Sequence, residues 1–311
     1  MKRMSTLPLG IDVGAIRTRV ALLERDAAGA VWLIAVAARP TGDDPAAAIA
    51  SACAELGTHE RRCVLALGHP DALLRTAAFP AMGRTERARA ARFEASRFVA
   101  YPLAEADVRV HAETRERSVV GIVRRSALDT RVRDVKRARL RPVAVDDAAF
   151  ALMRAFPYAD AIVDVGERAT VLVLPNEPLP AVRAFSAGGA AFTEAIVASL
   201  GVDAATAEQR KRSVGLAGAG DRARDALVEQ LATALIEHRA SARTEPRSIA
   251  LAGNGARLAG FAEALERAVA IPVRPGALPT GVSCGLPADV VRAASPDWGL
   301  AFGLALWETA A

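Results

Sequence analysis

The chain has 311 residues, of which 52% are hydrophobic and 24% charged, a composition typical of a globular protein with more than one domain. Its formal charge is +5, but arginines are interleaved with acidic residues and only three residues are lysine, so we predict a dispersed surface charge and no nucleic-acid partner. Three widely spaced cysteines fit neither a disulfide framework nor a metal knuckle, and no apolar run is long enough to cross a bilayer, which predicts no direct membrane insertion.

The first pattern along the chain is an apolar strand, a glycine-centred turn and a second apolar strand over residues 10–24. Asp12 ends the first strand, and Gly14 lies in the turn, where a missing side chain lets backbone N–H groups approach an anion. A single hairpin of this kind also fits a purely structural turn with a solvated aspartate. The pattern therefore indicates a phosphate site only when other motifs support it.

The rest of the first half alternates between strands and helices. Strands are predicted at 31–38, 63–68 and 73–80, and a helix at 45–56. From 82 to 145 the order is helix, strand, strand, helix, strand, which is typical of a small inserted α+β unit. Asp146 and Asp147 then precede an apolar helix at 148–155, and we predict that they cap its N-terminus.

The second half begins with a repeat of the first hairpin. Asp164, Gly166 and Thr170 have the same D-V-G-x-x-x-T spacing, which predicts two similar domains facing each other across a cleft. The elements predicted after the repeat are, in order, a strand at 181–186, a Gly188-Gly189 turn, helices at 192–200, 204–213 and 225–237, a strand at 249–252, a Gly253-Asn254-Gly255 turn, a helix at 260–269, an edge strand at 271–273, a Pro/Gly-rich loop at 275–287 and a helix at 295–308.

In this order the motifs resemble the actin, sugar-kinase and heat-shock-chaperone ATPase superfamily, because the Ala207-Glu208-Gln209-Arg210-Lys211 helix stands between the second hairpin and the last glycine turn. Four stretches, 94–103, 183–193, 249–261 and 298–306, resemble the PilM family of type IV pilus assembly. The position of the insertion fits PilM and the division protein FtsA. FtsA usually adds a C-terminal membrane helix, and this sequence stops at Ala311, which favours the PilM family.

The resemblance implies an α/β fold with two actin-like, ribonuclease-H-like domains around a nucleotide cleft and a small inserted α+β subdomain in the first half. The expected first domain covers 7–80 and 288–311, and the insertion covers 81–145. The expected second domain covers 146–287, with a helical subdomain at 200–245.

The resemblance also implies ATP and Mg²⁺ in the cleft, with the metal held by Asp12 and Asp164. The nucleotide-binding residues implied by the two hairpins, the glycine turns and the Glu-x-x-Lys helix are Asp12, Gly14, Arg17, Asp164, Gly166, Thr170, Gly188, Gly189, Glu208, Lys211, Gly253, Asn254 and Gly255. Two groups of these residues also have a purely structural explanation. Glu208 and Lys211 fit an ordinary ion pair on a helix surface, and residues 253–255 fit a plain turn between a strand and a helix.

The phosphate site departs from the family pattern in its first turn. Ala15, Ile16 and Arg17 stand where PilM relatives usually carry Ser or Thr, so hydroxyl donors are lost. Arg17 either contacts phosphate or fills the site, and Glu167 in the second turn would repel phosphate. No catalytic residue is predicted, so we expect a weak ATPase at most.

In the PilM family, a cytoplasmic peptide of the membrane protein PilN docks between the first domain and the insertion. The resemblance therefore implies the tail of a PilN-like inner-membrane protein as partner, and a homo-oligomer is a further arrangement. The implied partner-binding residues are Arg84, Arg92, Phe93, Arg97 and Tyr101. A solvated helix face is the alternative explanation of the arginines.

The function expected from the resemblance is that of a cytoplasmic actin-like scaffold in a type IV pilus, secretion or competence assembly platform. It would be peripheral to the inner membrane through its partner, with a degenerate nucleotide site. The alternatives are an active ATPase or small-molecule kinase of the same fold, or an FtsA-like division filament protein.

Overall fold

A computed structural model describes residues 4–112, 114, 117–176, 179–216, 218–241, 245–278, 282–284 and 296–309. Its strands are β1 (Ser5–Thr6), β2 (Leu9–Val13), β3 (Arg17–Arg25), β4 (Val31–Pro40), β5 (Arg62–Leu67), β6 (Ala72–Ala78), β7 (Ala106–Ala112), β8 (Arg117–Arg124), β9 (Arg141–Asp147), β10 (Ala161–Val165), β11 (Thr170–Leu174), β12 (Ala181–Phe185), β13 (Ile249–Ala252), β14 (Val273–Pro275) and β15 (Val282–Cys284). Its α-helices are α1 (Pro45–Leu56), α2 (Arg84–Ala95), α3 (Arg125–Arg137), α4 (Ala148–Ala155), α5 (Gly189–Leu200), α6 (Ala204–Val214), α7 (Asp221–Ser241), α8 (Phe261–Val269) and α9 (Gly299–Ala305).

The first sheet has seven strands in the order β15-β4-β3-β2-β5-β9, with β1 also paired to β3. The β2–β3 hairpin is antiparallel, whereas β5 and β9 continue the sheet in parallel. Along β3, Val20 and Leu22 lie in a core shared with α1, while Ala21 and Leu23 lie in a core shared with α9. Helices therefore cover both faces of this sheet, as the period-2 alternation of side chains requires.

The second sheet repeats this arrangement with five strands in the order β12-β11-β10-β13-β14. Its β10–β11 hairpin is antiparallel, and β13 and β14 follow in parallel. Leu251 and Phe192 belong to the core on the face that α5 to α8 cover, and Ala250 and Leu152 belong to the core beside α4. Two sheets built on the same plan confirm the predicted α/β class.

The insertion contains the antiparallel sheet β6-β8-β7, which packs against α2 around Phe79, Ala91 and Ile122. Its extent differs from the predicted 81–145. The earlier strand β6 pairs with β8, while β9 pairs with β5 of the first sheet, and Val135 of α3 is buried in the core of the first sheet. Sequence patterns identify a strand without identifying its partner, because pairing is non-local.

The C-terminal part also differs from the expected boundaries. Within the predicted loop at 275–287, β15 pairs in parallel with β4 and so belongs to the first sheet rather than the second domain. The predicted last helix is shorter, since α9 covers Gly299–Ala305. Residues 288–295 and 310–311 of the expected first domain, and 217 and 242–244 of the expected helical subdomain, lie outside the described residues.

None of the described helices is by itself long and apolar enough to span a bilayer. Among the described helices, α5 and α6 meet that criterion when taken together, across a bend of 108°.

Candidate functional site

The glycines of both hairpins are used to close their own turns. The Gly14 amide donates to the Arg17 carbonyl oxygen at 3.0 Å, and the Gly166 amide donates to the Ala169 carbonyl oxygen at 3.0 Å. A Cβ at Gly14 would lie only 2.8 Å from the Arg17 carbonyl oxygen, so a side chain cannot be accommodated there. These two amides are therefore occupied within their turns, and the nucleotide-binding role of Gly14 and Gly166 stays a prediction that rests on the other amides of the turns.

The Gly188-Gly189 turn docks α5 onto the second hairpin. The Gly189 amide donates to the Gly166 carbonyl oxygen at 2.9 Å, and a Cβ at Gly188 would lie 2.5 Å from the same oxygen. Thr170 is fully buried and donates to the Ala187 carbonyl oxygen at 2.7 Å. The Thr170 hydroxyl therefore supports this junction, and part of the N-terminal donor set of α5 is already used.

A cavity of about 440 Å³ lies between the two hairpins. It shares Arg17, Gly166 and Asn254 with a smaller cavity of about 140 Å³. Predicted site residues that line the larger cavity are Arg17, Gly166, Gly189, Glu208, Lys211, Asn254 and Gly255. Those that line the smaller cavity but not the larger one are Asp12, Gly14, Asp164 and Gly253. Residues from every predicted motif therefore line one of the two cavities. Gly188 and Thr170 line neither cavity and lie at the junction between the second hairpin and α5.

Glu208 and Lys211 form more than a surface pair. The Lys211 ammonium lies 2.6 Å from the Glu208 carboxylate and donates to the Gly189 carbonyl oxygen at 2.8 Å and to the Thr193 hydroxyl at 2.7 Å. Burial favours a higher pKa for Glu208, but hydrogen bonds from Lys211, Thr193 and Arg212 outweigh it and lower that pKa. The network joins α6 to the start of α5 at the edge of the larger cavity.

Arg19 is a site residue that sequence reasoning missed. It is 5% exposed and lies directly opposite Asp12 in the first hairpin. Its guanidinium lies 3.5 Å from the Asp12 carboxylate, 3.1 Å from the Asp297 carboxylate and 2.5 Å from the Asn254 side-chain oxygen. Asp297 also pairs with Arg257 at 2.5 Å. The register of the hairpin was the available signal, because a turn after Gly14 places residue 19 across from residue 12.

The residues present do not fit Mg²⁺ held through Asp12. Its carboxylate is already paired with a guanidinium, and the described part of the chain has no cluster of three or more His, Cys, Asp or Glu able to hold a metal. Burial raises the pKa of Asp12 in spite of Arg19. Burial, reinforced by the charge of Asp12, raises the pKa of Asp164 to about 6.

The predicted partner-binding residues lie on the insertion. Phe93 is 76% exposed on α2, which ends at Ala95. Arg84 and Arg92 are also exposed. The Arg92 guanidinium donates to the Leu103 carbonyl oxygen at 3.0 Å. The exposed Arg97 pairs with Glu94 at 3.0 Å.

Tyr101 differs from the other four. It is only partly exposed and packs against the core of the insertion. The Arg124 guanidinium lies 5.0 Å from the centre of its ring, a cation–π distance. Tyr101 therefore anchors the end of the α2 segment, and the other four predicted residues are exposed.

Comparison with known proteins gives one match to a family and several to solved structures. The model of the family described as "Type IV pilus assembly protein PilM" matches residues 41–309. A search of curated proteins gives no match. A chain of the "PilM-PilN type IV pilus biogenesis complex" is 26% identical, with a TM-score of 0.83 over 96% of this chain and 98% of that chain.

Two more distant structures share the fold. EutJ, an ethanolamine utilization protein from Carboxydothermus hydrogenoformans, is 15% identical, with a TM-score of 0.59 over 97% of this chain and 90% of that chain. The cytoplasmic domain of EpsL, an inner-membrane component of the type II secretion system of Vibrio cholerae, is 12% identical. Its TM-score is 0.50 over 79% of this chain and 82% of that chain. The family match over residues 41–309 confirms the predicted resemblance: this chain belongs to the PilM family of type IV pilus assembly proteins and has the actin-like fold.

Proposed function

We propose that this chain is the cytoplasmic actin-like component of a type IV pilus or related assembly platform, and that it binds the cytoplasmic tail of a PilN-like inner-membrane protein. It would be peripheral to the inner membrane through that partner. The observation that carries the proposal is the likeness to a chain of the PilM–PilN complex along 96% of this chain. The same partner class is what the sequence implied.

The exposed face of α2 supports this proposal. Phe93 leaves 76% of a large apolar side chain in water, and Phe98 just beyond the helix is 39% exposed. Exposed aromatic side chains are favoured anchors in protein interfaces. Arg84 is exposed at the start of the same helix and would meet acidic groups on a partner. We therefore assign the tail-binding surface to α2 and the chain that follows it.

A pull-down tests this assignment. The cytoplasmic tail of a PilN-like protein from the same organism is immobilised, and the full-length protein is passed over it. We expect retention of the wild type and loss of most binding in Phe93→Ser. Ile236→Ser is the matched control, because Ile236 is 63% exposed on α7. Failure of the wild type to bind contradicts the proposed function, and equal binding by Phe93→Ser contradicts the assigned surface.

We also propose that the larger cavity binds a nucleotide. Its volume of about 440 Å³ and its lining by both hairpins and by the Glu208–Lys211 pair support this. Because the Gly14 and Gly166 amides are used in their turns, the phosphates would need other donors, and the exposed Arg17, which lines the cavity, is one of them.

Titration calorimetry with ATP tests the nucleotide proposal. We expect measurable binding that weakens in Arg17→Ala. Absence of binding by the wild type contradicts nucleotide binding and leaves the assembly function intact.

A further inference from the structure

Arg19 places a permanent positive charge in the middle of the cleft. Its side chain is 6% exposed, and its guanidinium reaches the carboxylates of Asp12 and Asp297. A guanidinium keeps its proton at any physiological pH, so this charge is always present. A buried cation is tolerated when carboxylates surround it, as they do here.

The two hairpins carry different residues opposite their aspartates. In the first hairpin, the residue directly opposite Asp12 is Arg19. In the second hairpin, the residue directly opposite Asp164 is Val171. Since the two hairpins are otherwise alike in their D-V-G-x-x-x-T spacing, the second shows that an apolar side chain fits this position in the fold.

The same guanidinium joins the two halves of the protein. Arg19 on β3 of the first sheet donates to the side-chain oxygen of Asn254, in the turn that follows β13 of the second sheet. A second link crosses beside it, because Arg257 in the short helix after that turn pairs with Asp297 just before α9. Within the described residues, the buried Nε of Arg19 has no hydrogen-bond partner. The centre of the cleft therefore has a cation, its counter-ions and a spare donor.

Magnesium would compete for the same carboxylate oxygens. It requires several oxygen ligands in near-octahedral geometry, and the guanidinium already contacts the Asp12 oxygen that faces it. A divalent ion would also stand next to a buried positive charge, which is strongly unfavourable at low dielectric. The guanidinium and a divalent ion would therefore compete for Asp12.

We propose that Arg19 is the resident cation of this cleft and replaces the divalent metal that the fold family uses. The cleft accordingly does not bind Mg²⁺, and an anionic ligand enters it without a metal. The second consequence rests on the proposed nucleotide binding, whereas the first does not.

Binding of Mn²⁺, followed by the loss of the free-ion EPR signal, tests the first consequence on the full-length protein without nucleotide. We expect no Mn²⁺ bound by the wild type. Arg19→Val copies the residue found opposite Asp164, removes the guanidinium from the Asp12 carboxylate, and should raise Mn²⁺ affinity at least about tenfold. Arg19→Gln is measured as well, because it removes the charge while keeping a polar side chain if the valine variant fails to fold.

Two matched variants separate charge from position. Arg17→Val removes one positive charge at the mouth of the cavity without freeing Asp12, and Arg19→Lys keeps a cation in place, so neither should gain Mn²⁺ binding. An equal gain in Arg17→Val overturns the proposal. Mn²⁺ binding by the wild type that disappears in Asp12→Asn also overturns it.

A fluorescent ATP analogue tests the second consequence. We expect its affinity for the wild type to be the same within about twofold in EDTA and in Mg²⁺. A requirement for Mg²⁺ overturns the proposal. No binding in either buffer contradicts the proposed nucleotide binding instead, and the Mn²⁺ measurement then still decides whether Arg19 replaces the metal.

Discussion

The backbone of Gly303 approaches Ala151 so closely that a Cβ on Gly303 would lie 1.8 Å from the Ala151 carbonyl oxygen. Helices α9 and α4 cross at this point, and the Arg154 side chain fastens the crossing by donating to the Gly303 carbonyl oxygen at 2.9 Å. Glycine is required here because nothing larger fits between the two helix backbones. The closeness of the crossing depends on a single missing methyl group.

We therefore predict that Gly303→Ala lowers the free energy of unfolding by about 3 kcal/mol, since the helices must separate to admit the methyl group. Urea denaturation followed by circular dichroism measures the change. Gly121→Ala is the control, because the nearest atom to a Cβ there is the end of the Leu74 side chain at 3.5 Å. A Gly303→Ala variant as stable as Gly121→Ala would contradict this account of the crossing.

Asp147 caps α4 as predicted, accepting a hydrogen bond from the Ala149 amide at 2.8 Å. Burial raises its pKa from 3.8 to about 6, with a further contribution from the charge of Asp146. The folded protein therefore holds this proton at pH values where the unfolded chain has lost it. The contribution of Asp147 to stability is greatest below its unfolded pKa and declines as the pH rises towards about 6.

Asp147→Asn should remove this pH dependence while keeping the cap, because asparagine caps a helix as well as aspartate. We expect the variant to gain up to about 3 kcal/mol over the wild type at about pH 7.5 and little at about pH 4. Urea denaturation at the two pH values measures the difference. A gain that is equal at both would show that the ionisation of Asp147 is not the cause.

Asp44 provides a control of opposite sign. It caps α1, and hydrogen bonds from the Ala47 amide and then from Arg137 hold its pKa below the usual range. Its contribution to stability is present above its unfolded pKa and is lost as the pH falls. Asp44→Asn should therefore lose stability near neutral pH relative to acidic pH, the reverse of Asp147→Asn.

The Arg19–Asp297 pair should couple strongly. Removal of Asp297 leaves the buried Arg19 guanidinium with weaker compensation, so we predict that Asp297→Ala costs about 3 kcal/mol of stability. The double variant Asp297→Ala, Arg19→Val should lose less unfolding free energy than the two single variants lose together, by about 1 kcal/mol or more. A double-mutant cycle by urea denaturation measures the coupling.

The exposed Arg97–Glu94 pair is the matched control for that cycle. The Arg97 side chain is 69% exposed, so its coupling to Glu94 should be about 0.5 kcal/mol or less. Equal coupling in the two cycles would contradict a buried role for Arg19.

Lys211→Met should separate α6 from the start of α5. The ammonium group holds three partners, and the Glu208 carboxylate and Gly189 carbonyl oxygen would lose it together. We predict a loss of about 2 kcal/mol by thermal or urea denaturation. Lys136→Met is the control, because Lys136 is exposed on α3. Similar stability of the two variants would show that the network contributes nothing.

Local patterns were sufficient to predict much of the fold. The two hairpins, the cap at Asp147 and the glycine turns each depend on a few neighbouring residues, and the structure contains all of them. The pairing of β6 with β8 and of β15 with β4 was not predicted, because short strands do not specify a distant partner.

Most of the predicted site residues line two adjoining cavities, but the contacts among them were not predicted. Gly14 is a glycine of the turn, yet whether its amide faces a ligand or its own turn depends on backbone geometry that composition does not determine. Arg19 looked like an ordinary strand residue, and only the hairpin register placed it against Asp12. Asp297 is far away in sequence from both, so its contact with Arg19 required the folded structure.

The position of α9 has a consequence for synthesis in the cell. This helix covers a face of the first sheet so closely that a Cβ at Gly10 would lie 2.0 Å from the Ala301 carbonyl oxygen. At ordinary elongation rates, β2 leaves the ribosome on the order of 15 to 60 s before α9 is made. During that interval Ala21 and Leu23 lack the helix that buries them. We therefore expect the apolar side chains of this face to stay uncovered until residue 305 has emerged, and to be bound by chaperones that act during translation.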